Sequence, residues 1–368
     1  MKKINIKKNE FVRVLSDGGV FAGRNRAMAA LNNVRVTTHQ GRIRVESSSN
    51  DNYIKVYGVC LEETEDMSFC VSPKELTSYL NLIDDEDVKI TFDEEKSMLR
   101  VKHSHGTMRT PTYDSKDFPV MQIGDAESKH TLPAQILASW LNTAQQFVLT
   151  KNFGTALGGV NLRKDNGNLI AVGADNGLIY MSDCPMEGDE SFNVIIPKDG
   201  AKVMAAMCAN TDEVVLSLYN NALVVNNDDF SLYVKLIDIK YPDLNRLFGL
   251  KGQTRFSVNA QAFKQAARRV NAQTVVEERC VKVFFKENEL IMSYDYPQAG
   301  KNVEESIPCE CQAFEVAVTI NIDYLLMVLM NYVGEEVVFF HSDNERNPFF
   351  FEAEGNGYNT TFLLGTMV

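Results

Sequence analysis

The chain has 368 residues, of which 45% are hydrophobic and 23% are charged. This length is too great for one ordinary domain and suits two or three, and the composition excludes a disordered chain. The 37 Lys and Arg residues against 49 Asp and Glu residues give a net charge of −12. That balance argues against a protein that binds nucleic acid through a broad basic surface.

Targeting and membrane signals are missing from the sequence. The charged start, MKKINIKK, lacks the apolar run of a signal peptide, and nowhere do about 18 consecutive apolar residues occur. Seven scattered cysteines fit reduced thiols better than a disulfide framework. We therefore expect a cytoplasmic protein with no membrane partner.

Helix signals recur three times along the chain, at a spacing of roughly 123 residues. Amphipathic patterns predict a first helix at 9–18, 133–148 and 259–274. A second helix is predicted at 72–83, 197–207 and 321–333, and an acidic turn and a strand follow each one. The repeat predicts three modules, at residues 1–125, 126–250 and 251–368.

The remaining sequence of each module alternates between apolar and polar residues, which is typical of half-buried antiparallel strands. Each module is thus predicted to be an α+β domain in which two helices pack on antiparallel sheets of about eight strands. Three such modules form an arc. Since homo-oligomers usually close by two-fold symmetry, two arcs joined head to tail would make a six-domain ring.

Five stretches give the chain a resemblance to the beta subunit of bacterial DNA polymerase III, the beta sliding clamp family. They are ALGGVNL at 156–162, AVGAD at 171–175, VIIPK at 194–198, YPDL at 241–244 and INIDYL at 320–325. Each is weak alone, but their order and spacing are those of the family. The resemblance covers essentially the whole chain.

The resemblance implies a DNA sliding clamp, a processivity factor without catalytic activity. Such a protein forms a ring-shaped, head-to-tail homodimer around double-stranded DNA, and a clamp loader places it there. It tethers the DNA polymerase III alpha subunit, other DNA polymerases and repair proteins through their clamp-binding peptides. By position, the peptide pocket lies between modules two and three and is lined by Leu157, Gly177, Leu178, Ile179, Pro242, Arg246, Leu247, Leu364 and Met367.

Two departures from the family pattern concern this pocket. The turn at 175–180 reads DNGLIY and lacks the usual arginine, and the chain ends in GTMV rather than the common Pro-Met-Arg-Leu. A diverged or mobile-element paralogue with altered partner specificity is therefore the alternative within the family. The resemblance places the module-one side of the dimer seam at 107–112, where Pro111 suits an edge strand but limits its pairing.

Clustered basic residues are candidates for contact with DNA despite the acidic net charge. Lys198 and Lys202 are one helical turn apart, as are Lys264 and Arg268, so each pair shares a helix face. By resemblance, Arg24, Arg26 and Lys151 join them. The alternative is that these residues are ordinary solvated helix faces.

Catalytic and metal-binding signatures are not found in the sequence. It contains no phosphate-binding glycine loop, dinucleotide fingerprint, nucleophile elbow or zinc-protease helix. Cys309 and Cys311 have the wrong spacing for a zinc site, so no catalytic residue, metal or cofactor is predicted. The alternative from another class is a monomeric β-rich structural protein or enzyme that shares only the repeat.

Overall fold

The computed structural model describes residues 1–23, 29–49, 51–119, 121, 123–149, 155–188, 190–286, 288–311, 317–342, 344–355 and 357–367. All seven cysteines are free thiols. Among these residues, no helix is long and apolar enough to cross a membrane.

All six predicted helices are present. Local capping explains where the second helix of module one begins: Ser72 accepts a hydrogen bond from the Glu75 N–H, and Pro73 occupies the first helical position. The short helix α5 was not predicted. The helices are α1 Lys8–Gly18, α2 Pro73–Leu80, α3 Ala134–Ala144, α4 Lys198–Cys208, α5 Asn245–Phe248, α6 Ala260–Gln273 and α7 Ile322–Asn331.

Strands fill most of the remaining described chain, and their number per module agrees with the expected eight or slightly exceeds it. The first module contains β1 Lys2–Lys7, β2 Val34–His39, β3 Arg42–Ser48, β4 Asn52–Val59, β5 Met67–Val71, β6 Asp87–Asp93, β7 Met98–His103 and β8 Gly106–Pro111. The second contains β9 Ser128–Pro133, β10 Gly159–Asp165, β11 Asn168–Ala174, β12 Leu178–Pro185, β13 Phe192–Pro197, β14 Glu213–Tyr219, β15 Ala222–Asn226 and β16 Phe230–Lys235. The third contains β17 Thr254–Asn259, β18 Cys280–Lys286, β19 Glu289–Tyr296, β20 Lys301–Pro308, β21 Glu310–Cys311, β22 Ala317–Asn321, β23 Glu336–His341, β24 Phe349–Gly355, β25 Tyr358–Leu364 and β26 Thr366–Met367.

The strands form four antiparallel sheets, and two of these sheets continue from one module into the next. Pairing of β4 with β16 joins modules one and two in an eight-stranded sheet, and pairing of β12 with β25 joins modules two and three in a nine-stranded sheet. The other two sheets have the strand orders β1-β6-β7-β8 and β20-β19-β18-β22-β26. In these sheets β8 and β20 are edge strands, as predicted for 107–112.

Because sheets are shared, the chain divides by its contacts into two compact units rather than three. One unit comprises residues 1–139 and 202–236, and the other comprises 140–201 and 237–368. The division into domains at 125 and 250 stays a prediction.

Close packing of α3 on β11 positions the second module's part of the nine-stranded sheet. A Cβ atom at Gly173 would lie 2.1 Å from the Ala144 carbonyl oxygen, which is far inside van der Waals contact. Only glycine lets the helix approach this closely.

Candidate functional site

An apolar cluster lies on one face of the nine-stranded sheet, where β12 pairs with β25. Ile179 and Leu363 are directly opposite each other in this pair, and both are almost fully buried. Strands of two modules and the segment that connects them contribute to it. The buried members are Val172, Ala174, Ile179, Ile195, Tyr241, Phe350 and Leu363.

Partly exposed apolar side chains surround this cluster. Leu157 belongs to a 3-10 turn, Ala156–Gly158, and Leu244 and Phe248 belong to the connecting segment. The Phe248 and Phe350 rings lie 6.2 Å apart between centroids, a separation at which aromatic rings still attract each other. Half-buried leucine and phenylalanine side chains around a buried floor can anchor the apolar residues of a peptide.

Of the predicted pocket residues, Ile179 belongs to this cluster and Leu157 packs against it. Pro242, Arg246 and Leu247 lie nearby in the chain on the connecting segment, and all three are exposed. Arg246 and Leu247 belong to α5, whose residue Phe248 packs against the cluster. Their role in peptide binding stays a proposal.

Leu178 and Leu364, which the resemblance predicts to line the pocket, are not part of the cluster. They pair with each other across β12 and β25, and both are buried on the opposite face of the sheet. Leu364 there adjoins Phe349 and Phe351. Side chains alternate between faces along a strand, so Leu363, and not Leu364, lies opposite Ile179.

Gly177 occupies the turn before β12, beside the C-terminal segment. Its carbonyl oxygen accepts a hydrogen bond of 2.8 Å from the Gly365 N–H. A Cβ atom at Gly177 would lie 3.1 Å from the Tyr324 ring, so a larger residue would need this ring to move. Met367 belongs to β26, which pairs with β22, and its side chain is 46% exposed.

Tyr241, Phe248 and Leu363 are functional candidates that the sequence analysis does not identify. In the sequence Tyr241 stands out only as the first residue of the family stretch YPDL, whereas its ring is a buried member of the cluster. The available signal was its position 123 residues after Phe118, since both precede a proline where modules meet. Leu363 would follow from the alternation of side chains along β25 if the pairing of that strand were known from the sequence.

Of the residues predicted to face DNA, the structure describes four. Lys198 and Lys202 lie one turn apart on α4, and Lys264 and Arg268 lie one turn apart on α6. Lys202 and Arg268 are exposed, and the other two are half-buried. Arg24, Arg26 and Lys151 lie outside the described residues.

Metal-binding geometry is not present in the described part of the chain. No group of three or more His, Cys, Asp or Glu side chains there could hold an ion. Burial raises the pKa of the Cys309 thiol to about 12, and Cys311 adds to the increase. That shift disfavours the thiolate form that a metal would need.

The fold is that of the DNA sliding clamps. A Pseudomonas aeruginosa sliding clamp (DNA polymerase III subunit beta) bound to griselimycin superimposes with a TM-score of 0.93 at 18% identity, and the match covers 100% of this chain and 99% of the other. The DNA polymerase III beta subunit of Thermotoga maritima gives a TM-score of 0.91 at 14% identity, with 100% of both chains covered.

Relatives by sequence identify the family. The model of the N-terminal domain of the DNA polymerase III beta subunit matches residues 2–122, and that of its central domain matches residues 131–243. The beta sliding clamp of Haemophilus influenzae is 22% identical over 81% of this chain and 82% of its own, and that of Streptococcus pneumoniae is 21% identical over 92% of each. The two family models span more than half of the chain, which therefore belongs to the DNA polymerase III beta subunit family, the beta sliding clamps.

Proposed function

We propose that this protein is a DNA sliding clamp that encircles double-stranded DNA as a head-to-tail homodimer and acts there without catalysis. It holds the DNA polymerase III alpha subunit, other polymerases and repair proteins at the DNA, after a clamp loader has placed it. Tethering raises the effective concentration of each partner at its substrate. We assign it to the cytoplasm.

The observation that carries this proposal is the arrangement of sheets at the module ends. Both module junctions are closed by a continuous sheet, whereas β8 and β20 are edge strands in the described chain. Unpaired edges invite pairing with another chain. Addition of β8 of one copy to β20 of the other, repeated by two-fold symmetry, would close six modules into a ring.

Charge fits encirclement as well. A ring is retained by topology and needs only weak contacts with phosphates, which Lys198, Lys202, Lys264 and Arg268 supply. At physiological salt the screening length is about 8 Å, so these local charges outweigh the distant net charge of −12.

The apolar cluster supports the tethering role. We assign peptide anchoring to Leu157, Ile179, Leu363 and Phe248, with Pro242, Arg246, Leu247, Gly177 and Met367 at the rim. Altered partner specificity, as in a diverged paralogue, is favoured by one observation: Leu178, which stands where the family has an arginine, is buried. That position offers a partner no charge.

Retention on DNA tests the encirclement. Loaded protein should remain on a closed circular plasmid and slide off the same plasmid once it is linearised. Equal retention on both forms would refute encirclement whatever the fold.

Proline substitutions in β8 provide the matched controls. Successive N–H groups of an edge strand point alternately toward the neighbouring strand and away from the sheet. Of the two variants Met108→Pro and Arg109→Pro, one therefore removes an N–H donor that points away from the sheet, where a second copy would pair. That variant should sediment as a folded monomer of 41.3 kDa and lose retention on the circle. A dimer in both variants would exclude β8 from the seam.

A further inference from the structure

A row of polar side chains borders the apolar cluster on the same face of the sheet. Asn161 on β10 pairs with Val172 and Ile195, which both belong to the cluster. Its amide donates to the Asn193 side chain at 2.6 Å, and its own oxygen accepts from Arg163 Nη1 at 2.7 Å. This row therefore places a guanidinium beside an apolar anchoring surface.

Arg163 is half-buried and has no carboxylate within ion-pair distance among the described residues. Two other partly buried arginines do have one: Arg35 lies 2.7 Å from Glu46, and Arg279 lies 3.4 Å from Asp323. An arginine carries five N–H donors, and the structure describes one hydrogen bond for this group. Burial lowers the pKa of Arg163, while Asp165, Tyr241 and Asp243 act in the opposite direction.

Tyr241 contributes a second polar atom without a partner. Its side chain is only 8% exposed, and its hydroxyl is buried with no hydrogen-bond partner in the described chain. Arg163 is the charged group that acts on the Tyr241 pKa, which burial raises above its ordinary range. A buried hydroxyl without an acceptor is costly, so the site favours a ligand that brings one.

We propose that Arg163 and Tyr241 form a polar subsite that binds a carboxylate side chain of the partner peptide. The proposal rests on the proposed function and adds a specificity to it. The occupant is a peptide because the subsite adjoins an apolar floor, so its ligand must combine an acid group with apolar anchors. Charge-assisted hydrogen bonds from a fork-shaped guanidinium suit a carboxylate.

Matched peptides test this subsite. We would use fluorescent pentapeptides that end in leucine and phenylalanine, with a single glutamate or glutamine moved through the other three positions. At one position the glutamate peptide should bind about tenfold more tightly than the glutamine peptide, as one charge-assisted hydrogen bond predicts. This preference should weaken as salt is raised.

Three variants test which residues cause the preference for the glutamate peptide. Arg163→Gln should remove the preference for glutamate and leave the affinity for the glutamine peptide unchanged. Tyr241→Phe should reduce the preference and keep the ring in the cluster. Arg346→Gln, which removes one exposed positive charge, should leave it intact.

The outcomes separate this proposal from the function on which it rests. Equal binding of both peptides at every position, abolished by Leu157→Asp, would refute the acidic subsite and keep the apolar pocket. A preference that survives Arg163→Gln would also refute it. Failure of every peptide to bind would overturn the pocket and the subsite together, and oligonucleotide binding lost in Arg163→Gln would reassign the residue to nucleic acid.

Discussion

At the junction of modules two and three, Ile179 on β12 lies opposite Leu363 on β25, whereas at the junction of modules one and two the corresponding pair is Tyr53 on β4 and Tyr233 on β16. On the neighbouring strands, Val172 of β11 corresponds to Glu46 of β3, because each occupies the same place in the register of its sheet. The two junctions share their strand pairing and differ in chemistry.

Glu46 organises the first junction as a cluster of charges. It is fully buried, accepts a hydrogen bond of 2.7 Å from Arg35 and one of 2.5 Å from the Tyr53 hydroxyl, and lies 3.4 Å from Arg44. Arg35 also lies over the Phe118 ring, 5.2 Å from its centroid. The apolar cluster at this junction is smaller, and its buried members are Tyr53, Cys70 and Phe118.

The difference teaches that a repeated backbone does not repeat a binding site. The junction of modules two and three has a cluster of seven buried apolar side chains, whereas the junction of modules one and two has an internal ion pair beside the same strand pairing. Phe118 at the first junction corresponds to Tyr241 at the second. We therefore expect one peptide site per chain, at the junction of modules two and three.

Removal of Glu46 should give the largest effect on this comparison. Glu46→Ala leaves Arg35 buried without its carboxylate, and breaking a buried ion pair in this way costs about 3–5 kcal/mol of unfolding free energy. Urea unfolding at neutral pH measures it. The exposed Glu95→Ala serves as control and should change the free energy by less than about 0.5 kcal/mol; equal effects would show that Glu46 is not central to the junction.

Acid should lower the unfolding free energy through Glu46 by no more than the amount that Glu46→Ala removes. Burial raises the Glu46 pKa, but hydrogen bonds from Arg35 and Tyr53 lower it by more, so in the folded protein this pKa lies below the ordinary glutamate value of 4.5. The stabilisation is complete above pH 4.5 and is lost as pH falls through the folded pKa. The gap in unfolding free energy between the unchanged protein and Glu46→Gln should be constant near neutrality and shrink below pH 4.5, and a gap that widens in acid would contradict this assignment.

Tyr53→Phe should have an intermediate effect. It removes the hydroxyl that donates to Glu46 and leaves the ring, and the loss of a hydrogen bond to a charged group costs about 1.5–3 kcal/mol. The half-buried Tyr57 has no hydrogen bond from its hydroxyl among those the structure describes, so Tyr57→Phe is the control. Matching urea midpoints for both variants would mean that the Tyr53 hydrogen bond contributes nothing.

The smallest effect is expected at an exposed ion pair near the same junction. Asp51 and Lys235 lie 3.0 Å apart with more than half of each side chain exposed, and water and salt screen such pairs. Asp51→Asn should leave the urea midpoint unchanged at physiological salt. A clear shift would show that charge at this junction acts beyond the buried cluster.

Much of the fold could be predicted because it depends on local patterns. All six repeated helices carry an apolar face, and Ser72 with Pro73 marks a helix start by local chemistry. The edge position of 107–112 came from the resemblance to the family, and Pro111 suits it. α5 escaped prediction because its four residues are too few to show a helical period.

The candidate site was predicted only in part, for a physical reason visible at Leu364. Leu363 and Leu364 are both apolar, and which one faces Ile179 depends on the register between strands that are far apart in sequence. Arg163 and Tyr241 were unpredictable for the same cause. Neither is unusual alone, and only folding places both beside the cluster.

By itself, the sequence determined the threefold repeat, the α+β class and the membership suggested by five ordered stretches, because these depend on residues close together in the chain. Only the tertiary structure decided that sheets continue across both junctions, that one junction is apolar while the other contains a buried carboxylate, and that Leu363 rather than Leu364 lies opposite Ile179. Those features depend on strand register between distant segments, and a shift of one residue would turn every side chain to the other face.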